Sequence, residues 1–122
     1  MQFFVYFTMI EGEPMNPPSA EGMAKMGQFM MKSFESGRIV ATGKLPHEVT
    51  NVKLEKGEFS ISDGPFIEGK ELIPGFTVIS ADSKEEAMEW VKELRECMGD
   101  GTIKMGQLMG TGPEDMKMKP NN

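Results

Sequence analysis

The segment from Gln2 to Ile10 predicts a β-strand that is apolar on both faces. It is rich in aromatic and β-branched side chains, and Glu11-Gly12-Glu13-Pro14 follows it, which does not continue a ladder easily. The two-residue period of a strand divides its larger side chains between two faces: Phe3, Val5, Phe7 and Met9 on one, Phe4, Tyr6 and Thr8 on the other. Both faces therefore need cover.

Two later segments have a helical period. The first predicted helix runs from Ser19 to Ser36 and stops at Gly37. Its apolar stripe is Met23, Met26, Met30 and Phe34. The second helix follows Ser83, which has capping-box spacing with Glu86. Its stripe is Ala87, Val91, Leu94 and Met98, and Gly99-Asp100-Gly101 ends it.

Shorter apolar runs predict the remaining strands. They are Arg38–Thr42, Val49–Leu54, Phe59–Ser62, Gly75–Ser80 and Thr102–Met109, with the second and third joined as a hairpin across Lys56-Gly57. The tract from Asp63 to Pro74 has neither period, and we expect it to be an ordered loop. Apart from this extra hairpin, the order is that of a ferredoxin-like βαββαβ fold of the α+β class, an antiparallel sheet with two helices on one face.

Such a fold covers only one face of its sheet. The face with Phe4 and Tyr6 would leave a larger apolar patch than soluble monomers normally expose. Two copies paired sheet against sheet would cover both patches and enclose a small cavity. We therefore expect a homodimer of the dimeric α+β barrel type.

Composition and charge narrow the function classes. The 122 residues suit one domain, which we place at 1–109, followed by a loose tail at 110–122. A net charge of -6 gives no basic surface for nucleic acid or anionic membranes. With 1 Cys and 1 His the usual zinc and transition-metal sites cannot form, and we expect no metal and no cofactor. We see neither a signal peptide nor a membrane span, so we expect a cytoplasmic location.

The middle of the chain carries a more specific motif. It reads Ser62-Asp63-Gly64-Pro65-Phe66-Ile67-Glu68-Gly69-Lys70-Glu71, followed by Ile73-Pro74-Gly75-Phe76. Together with the aromatic first strand, the Gly-ended first helix and the helix opened by Asp82-Ser83, this motif resembles the YCII-related proteins of the DGPF type. The resemblance implies a small dimeric ferredoxin-like α+β barrel in the bacterial cytoplasm, with a cleft near the Asp63–Phe66 loop. For most members of that family no reaction is assigned.

One feature of the founding YCII branch is missing. There, a His in the region of the first helix is proposed to work with an Asp, but Ser19 to Ser36 contains no His. That pair cannot be transferred to this chain. Some relatives with this fold act on small cyclic compounds, yet a shared fold does not establish a shared reaction.

The candidate site residues lie mostly in the motif. A carboxylate at the mouth of an apolar cleft can act as a general base, which is one interpretation of Asp63; the other is a turn former that accepts backbone N–H groups. Lys70 would be its catalytic partner and bind an anion. The expected ligand-binding residues are Tyr6, Phe66, Glu68 and Glu71. For the charged cluster, an ordinary solvated loop is the alternative.

Two further side chains, His47 and Cys97, are interpreted as having no role in the site. His47 follows Pro46 in a predicted turn, and we interpret it as a surface residue, although an unperturbed imidazole titrates near neutrality. Cys97, near the end of the second helix, is interpreted as a small buried or half-buried thiol and not as a nucleophile.

Two functions stay open at this point. One is binding of a small metabolite, without turnover, in a cleft near the Asp63–Phe66 loop. The other is a cofactor-free enzyme of the isomerase or lyase type, in which Asp63 transfers a proton on a small cyclic or carboxylated substrate. We favour the first, because the sequence provides no complete set of acid, base and oxyanion donors.

Overall fold

Four strands form an antiparallel sheet in a computed structural model that describes residues 1–10, 17–66, 71–110 and 112. The elements in chain order are β1 (Gln2–Tyr6), β2 (Met9–Ile10), α1 (Ala20–Glu35), β3 (Ile39–Lys44), β4 (Glu48–Glu55), β5 (Glu58–Pro65), β6 (Glu71–Leu72), β7 (Gly75–Ser80), α2 (Lys84–Met98) and β8 (Lys104–Gln107). The order across the sheet is β3-β7-β1-β8, and every neighbouring pair is antiparallel. With its two helices, the chain has the predicted α+β ferredoxin-like fold.

Each helix begins at the predicted serine cap. The Ser19 hydroxyl accepts a hydrogen bond from the Gly22 N–H at 3.0 Å, and the Ser83 hydroxyl accepts one from the Glu86 N–H at 3.1 Å. Gly37 follows α1 with a φ of 79°, a left-handed conformation that ends a helix at little steric cost. Both predicted helices are confirmed. Within the described ranges, neither is long and apolar enough to cross a membrane.

Arg38 links the start of β3 to the start of α2. Its guanidinium donates to the Ser80 carbonyl at 2.6 Å and to the Glu86 carboxylate. The same carboxylate accepts the Asp82 N–H at 3.2 Å. The hydrogen bond from Arg38 first, and then the one from Asp82, holds the pKa of Glu86 below its usual range.

The core lies between one sheet face and the helices. Its buried side chains are Phe3, Val5, Ile39, Ile79, Ala81, Ala87, Trp90 and Leu94. Trp90 also donates its indole N–H to the buried Ser33 hydroxyl at 2.8 Å, which satisfies both polar groups inside the core. The strand parity that assigned Phe3 and Val5 to one face is confirmed.

The opposite face of the sheet carries an aromatic cluster. Phe4 lies 5.3 Å from Tyr6 and 5.8 Å from Phe76 between ring centroids, and the Phe4 and Phe76 rings are stacked. All three side chains are half-buried. This cluster is the face that the sequence analysis expects a second copy to cover.

The predicted first strand is broken after Tyr6. In the register, Tyr6 pairs with Phe76 and with Lys104, and these residues lie at the starts of β7 and β8. Beyond Tyr6, β8 has no further residue to pair with and β7 has only Gly75, so β1 ends there and Met9–Ile10 pairs separately with β6. The prediction of one continuous strand to Ile10 is wrong for this reason.

The predicted loop also begins too early. Asp63, Gly64 and Pro65 belong to β5, opposite Thr50, Val49 and Glu48. Proline is tolerated here because it is the last residue of its strand, where its missing N–H interrupts no further ladder bond. The loop prediction is wrong for these three residues, and positions 67–70 lie outside the described residues.

β4 and β5 form a two-stranded ladder of their own, which we call the ribbon (residues 48–65). Lys56 and Gly57 at its tip both have positive φ, 50° and 79°, as the tightest hairpin turns require. We call the four-stranded sheet together with α1 and α2 the body. The chain passes from the body to the ribbon through residues 45–47.

Candidate functional site

A cavity of about 820 Å³ opens at one end of the four-stranded sheet. It lies where β1 ends and β7 begins, and one side of α1 and the end of α2 contribute to its wall. The segment between β3 and β4 also contributes to the lining. The volume falls in the range of roughly 300 to 1,000 Å³ that is usual for small-molecule sites.

The wall of the cavity is mainly apolar. Helical spacing places Met23, Met26 and Met30 along one side of α1, where Met26 and Met30 also pack against the core. Met98 and Phe76 contribute from α2 and β7. Methionine adapts its shape readily, so this wall can fit ligands of different outline.

A few polar side chains interrupt this surface. Tyr6, Thr42 and Thr77 line the cavity from the sheet. The Thr42 hydroxyl donates to the Phe76 carbonyl at 2.9 Å and lies 3.0 Å from the Thr77 hydroxyl. Because these two threonines partly satisfy each other, the Tyr6 hydroxyl is the better candidate for orienting a ligand.

The charge of the lining is unusual for such an acidic chain. Lys44 and His47 line the cavity, but none of its described lining residues is Asp or Glu, although the chain contains 19 of these. Lys44 makes no salt bridge with any side chain in the described ranges. The cavity is therefore better suited to an anion than to a cation.

The structure brings together two of the predicted ligand-binding residues. Tyr6 and Phe66 both line the cavity, and the Phe66 N–H donates to the His47 carbonyl at 3.0 Å, which joins the sequence motif to the lining. Glu71 pairs through its backbone with Ile10. Glu68 and Lys70 lie outside the described residues.

Asp63 occupies a different place from the one expected of a base in a cleft. It is exposed on the ribbon, where its carboxylate accepts a hydrogen bond from the Thr50 hydroxyl at 2.9 Å. Asp63 is not among the described residues that line the cavity. Its proposed roles as a turn cap and as a base stay predictions, as does that of Lys70.

The sequence analysis missed two residues at this site. His47 is exposed, as expected of a turn residue, but it also lines the cavity. Lys44 was not considered at all. Its only sequence signal is its position near the end of a predicted strand, where loops commonly carry binding residues.

Metal-ligating residues do not assemble around this site. In the part of the chain that the structure describes, no three His, Cys, Asp or Glu side chains come together in a way that could hold a metal ion. Cys97 is a free, half-buried thiol and does not line this cavity.

Comparison with known families decides where the chain belongs. The profile of the YCII-related domain matches residues 1–105. The chain belongs to the YCII-related family. The match spans both helices, the ribbon and every described residue that lines the cavity. No curated protein matches the chain.

This YCII-related protein carries its histidine outside α1. No residue of α1 is a histidine, as the sequence analysis found for the predicted helix. The sole histidine, His47, instead reaches the cavity from the segment between β3 and β4. Chemistry at this site would therefore have to start from a different arrangement than the one proposed for the founding branch.

Proposed function

We propose that this YCII-related protein binds a small metabolite in the cavity at the end of the sheet, and that the metabolite is largely apolar with one acidic group. The observation that carries the proposal is the lining itself, which combines apolar walls with Lys44 and His47 and has no carboxylate among its described residues. The family match assigns no ligand, so the chemistry of the lining is the guide.

The shape of the cavity supports a ring-containing ligand. Phe76 and Tyr6 offer aromatic surface at the end of the sheet, and the methionines of α1 offer adaptable surface in another part of the lining. An apolar ring in this cavity would be removed from water, which contributes roughly 25 cal/mol per Å². An acidic group on that ring could interact with Lys44 and accept a hydrogen bond from His47.

The proposal can be tested with a panel of matched ligands. Phenylacetate, 4-hydroxybenzoate and indole-3-acetate are compared with their neutral amides by calorimetry on the full chain. We expect the acids to bind more tightly than the amides. In Lys44→Met the acids should bind about two- to fivefold more weakly, the range for one solvent-exposed ion pair.

A lysine on the ribbon provides the control. Lys53 is also exposed and does not line the cavity, so Lys53→Met removes the same charge without touching the site. Equal affinity of acids and amides, or equal losses in the two variants, would contradict the acidic group. Failure of the panel and of a fractionated cell extract to bind would contradict the site altogether.

We also propose that two copies pair through the open sheet face. The stacked rings of Phe4 and Phe76, with Tyr6 beside them, support this because both helices lie on the other face. The double variant Phe4→Asp, Tyr6→Asp should lose the dimer, which light scattering would show as a halved mass. An unchanged, well-folded dimer would refute this pairing, as would a wild-type protein that is monomeric at micromolar concentration.

A further inference from the structure

Toward its tip, the ribbon has one apolar face and one polar face, and nearer the body the apolar face continues into the exposed Thr50–Asp63 pair. Val52 is paired with Ile61 and Leu54 with Phe59, so these four side chains lie together on one face, which we call the ribbon patch. They are 65%, 70%, 60% and 71% exposed, respectively. The other face carries polar side chains: Asn51, Lys53, Ser60 and Ser62.

An exposed apolar patch of this size commonly marks an interaction surface. At these exposures it leaves roughly 500 Å² of apolar side chain in water, which is as large as the largest patch of a typical monomer and is commonly functional. A lone two-stranded hairpin is itself only marginally stable in water. The described residues of the body do not cover the patch, which leaves it open to a partner.

We infer that the ribbon patch is buried against a second copy of this chain. The inference rests on the proposed homodimer and extends it from the sheet face to the ribbon. The first argument is area. Two ribbon patches together would remove roughly 1,000 Å² of apolar surface from water, which is about the minimum for a specific interface, and the sheet faces would add to it.

The second argument is charge. The tip of the ribbon carries Lys53 and Lys56 together with Glu55 and Glu58, and Lys53 contacts Glu55 at 3.2 Å. This balanced set is compatible with its own copy, because neither sign is in excess.

The alternation of β5 supplies a matched experiment on the full chain. Phe59→Asp with Ile61→Asp places two carboxylates on the ribbon patch, whereas Ser60→Asp with Ser62→Asp places two on the polar face of the same strand. Mass is measured by light scattering and sedimentation over a range of concentrations. We expect the control to keep the dimer, and the patch variant to associate at least about tenfold more weakly.

Trp90 reports whether the body remains folded. It is the sole Trp and is buried in the core, so unchanged fluorescence in the patch variant shows an intact body. If the carboxylates disturb the body, the milder pair Phe59→Ser and Ile61→Thr is used, with the same expectation.

The outcomes separate the two proposals. A patch variant as dimeric as its control would overturn the ribbon inference, because it would show that the patch is covered within its own chain or not at all. If Phe4→Asp with Tyr6→Asp still abolishes the dimer in that case, the sheet-face pairing stands alone. A wild-type protein that is monomeric at every concentration would overturn both.

Discussion

The body and the ribbon use the same strand pattern with opposite results. In β1, Phe3 and Val5 alternate with neighbours on the other face and are 1% and 3% exposed. In β5, Phe59 and Ile61 alternate in the same way and are 71% and 70% exposed. Alternation determines which side chains share a face, but the topology determines whether anything covers that face.

The two regions therefore differ in whether they depend on other surfaces for their stability. The body has two helices packed on its sheet, so it contains its own core and can hold the cavity in a fixed shape. The ribbon has only its own ladder among the described residues, and a pair of strands is marginal alone. We expect the body to set the stability of the monomer and the ribbon to respond to concentration.

The largest effect should come from the same substitution made in both regions. Phe3→Ala removes a fully buried ring and should lower the free energy of unfolding by about 3 to 5 kcal/mol. Phe59→Ala removes an exposed ring and should cost less than about 0.5 kcal/mol in dilute protein. Chemical denaturation of both variants measures the difference.

The same two variants can be compared again at higher protein concentration. If a second copy covers the ribbon patch, the cost of Phe59→Ala should grow as the protein is concentrated, because the dimer is stabilised by mass action. The relative cost of Phe3→Ala should change much less. Similar costs for both variants in dilute protein would contradict the division into body and ribbon.

An intermediate effect is expected from two glycines of α1. A Cβ at Gly22 would overlap the carbonyl oxygen of Cys97, whereas one at Gly27 would meet nothing within 4 Å. Gly22→Ala should therefore destabilise the fold by about 1 to 3 kcal/mol. Gly27→Ala should stabilise it by roughly 0.5 to 1 kcal/mol, the ordinary gain inside a helix. If the melting temperature changes in the same direction in both variants, the close contact between Gly22 and the Cys97 carbonyl does not determine the effect.

The smallest effect on stability is expected at the ion pairs, Arg38–Glu86 in the body and Lys53–Glu55 on the ribbon. Glu86 has a folded-state pKa below the ordinary value of 4.5, so its carboxylate stabilises the fold above that pH and loses this contribution as the pH falls through the folded pKa. Glu86→Gln should therefore be less stable than wild type at pH 7, and the gap should close in acid. Glu55→Gln on the ribbon is the control. A gap in the urea midpoint that is equally large at pH 7 and pH 3 would argue against the Arg38 contact as its source.

Much of the body could be predicted because its signals are local. The serine caps at Ser19 and Ser83 and the periodic stripes fix both helices from a few neighbouring residues. The two-residue period of the first strand identified Phe3 and Val5 as core residues in the same way. The homodimer stays a prediction, because it depends on a second chain.

The site was harder to predict because it is assembled from distant segments. Met26, Lys44 and Phe66 lie far apart in the sequence and come together only in the folded chain, from α1, the end of β3 and the residue after β5. Asp63 shows the limit of motif reasoning. Its ladder with Thr50 extends past the predicted end of the hairpin, so its side chain is held on the ribbon instead of in a loop.

The most direct test of the central claim, that the cavity is the ligand site, is NMR on protein labelled with ¹³C at its methionine methyl groups. Phenylacetate is titrated into the full chain. The methyl signals of Met23, Met26, Met30 and Met98, which line the cavity, should shift together, while those of Met88 and Met109, which do not, should stay in place. Shifts confined to Met88 or Met109, or unchanged signals at all four lining positions with a ligand that calorimetry shows to bind, would contradict the account.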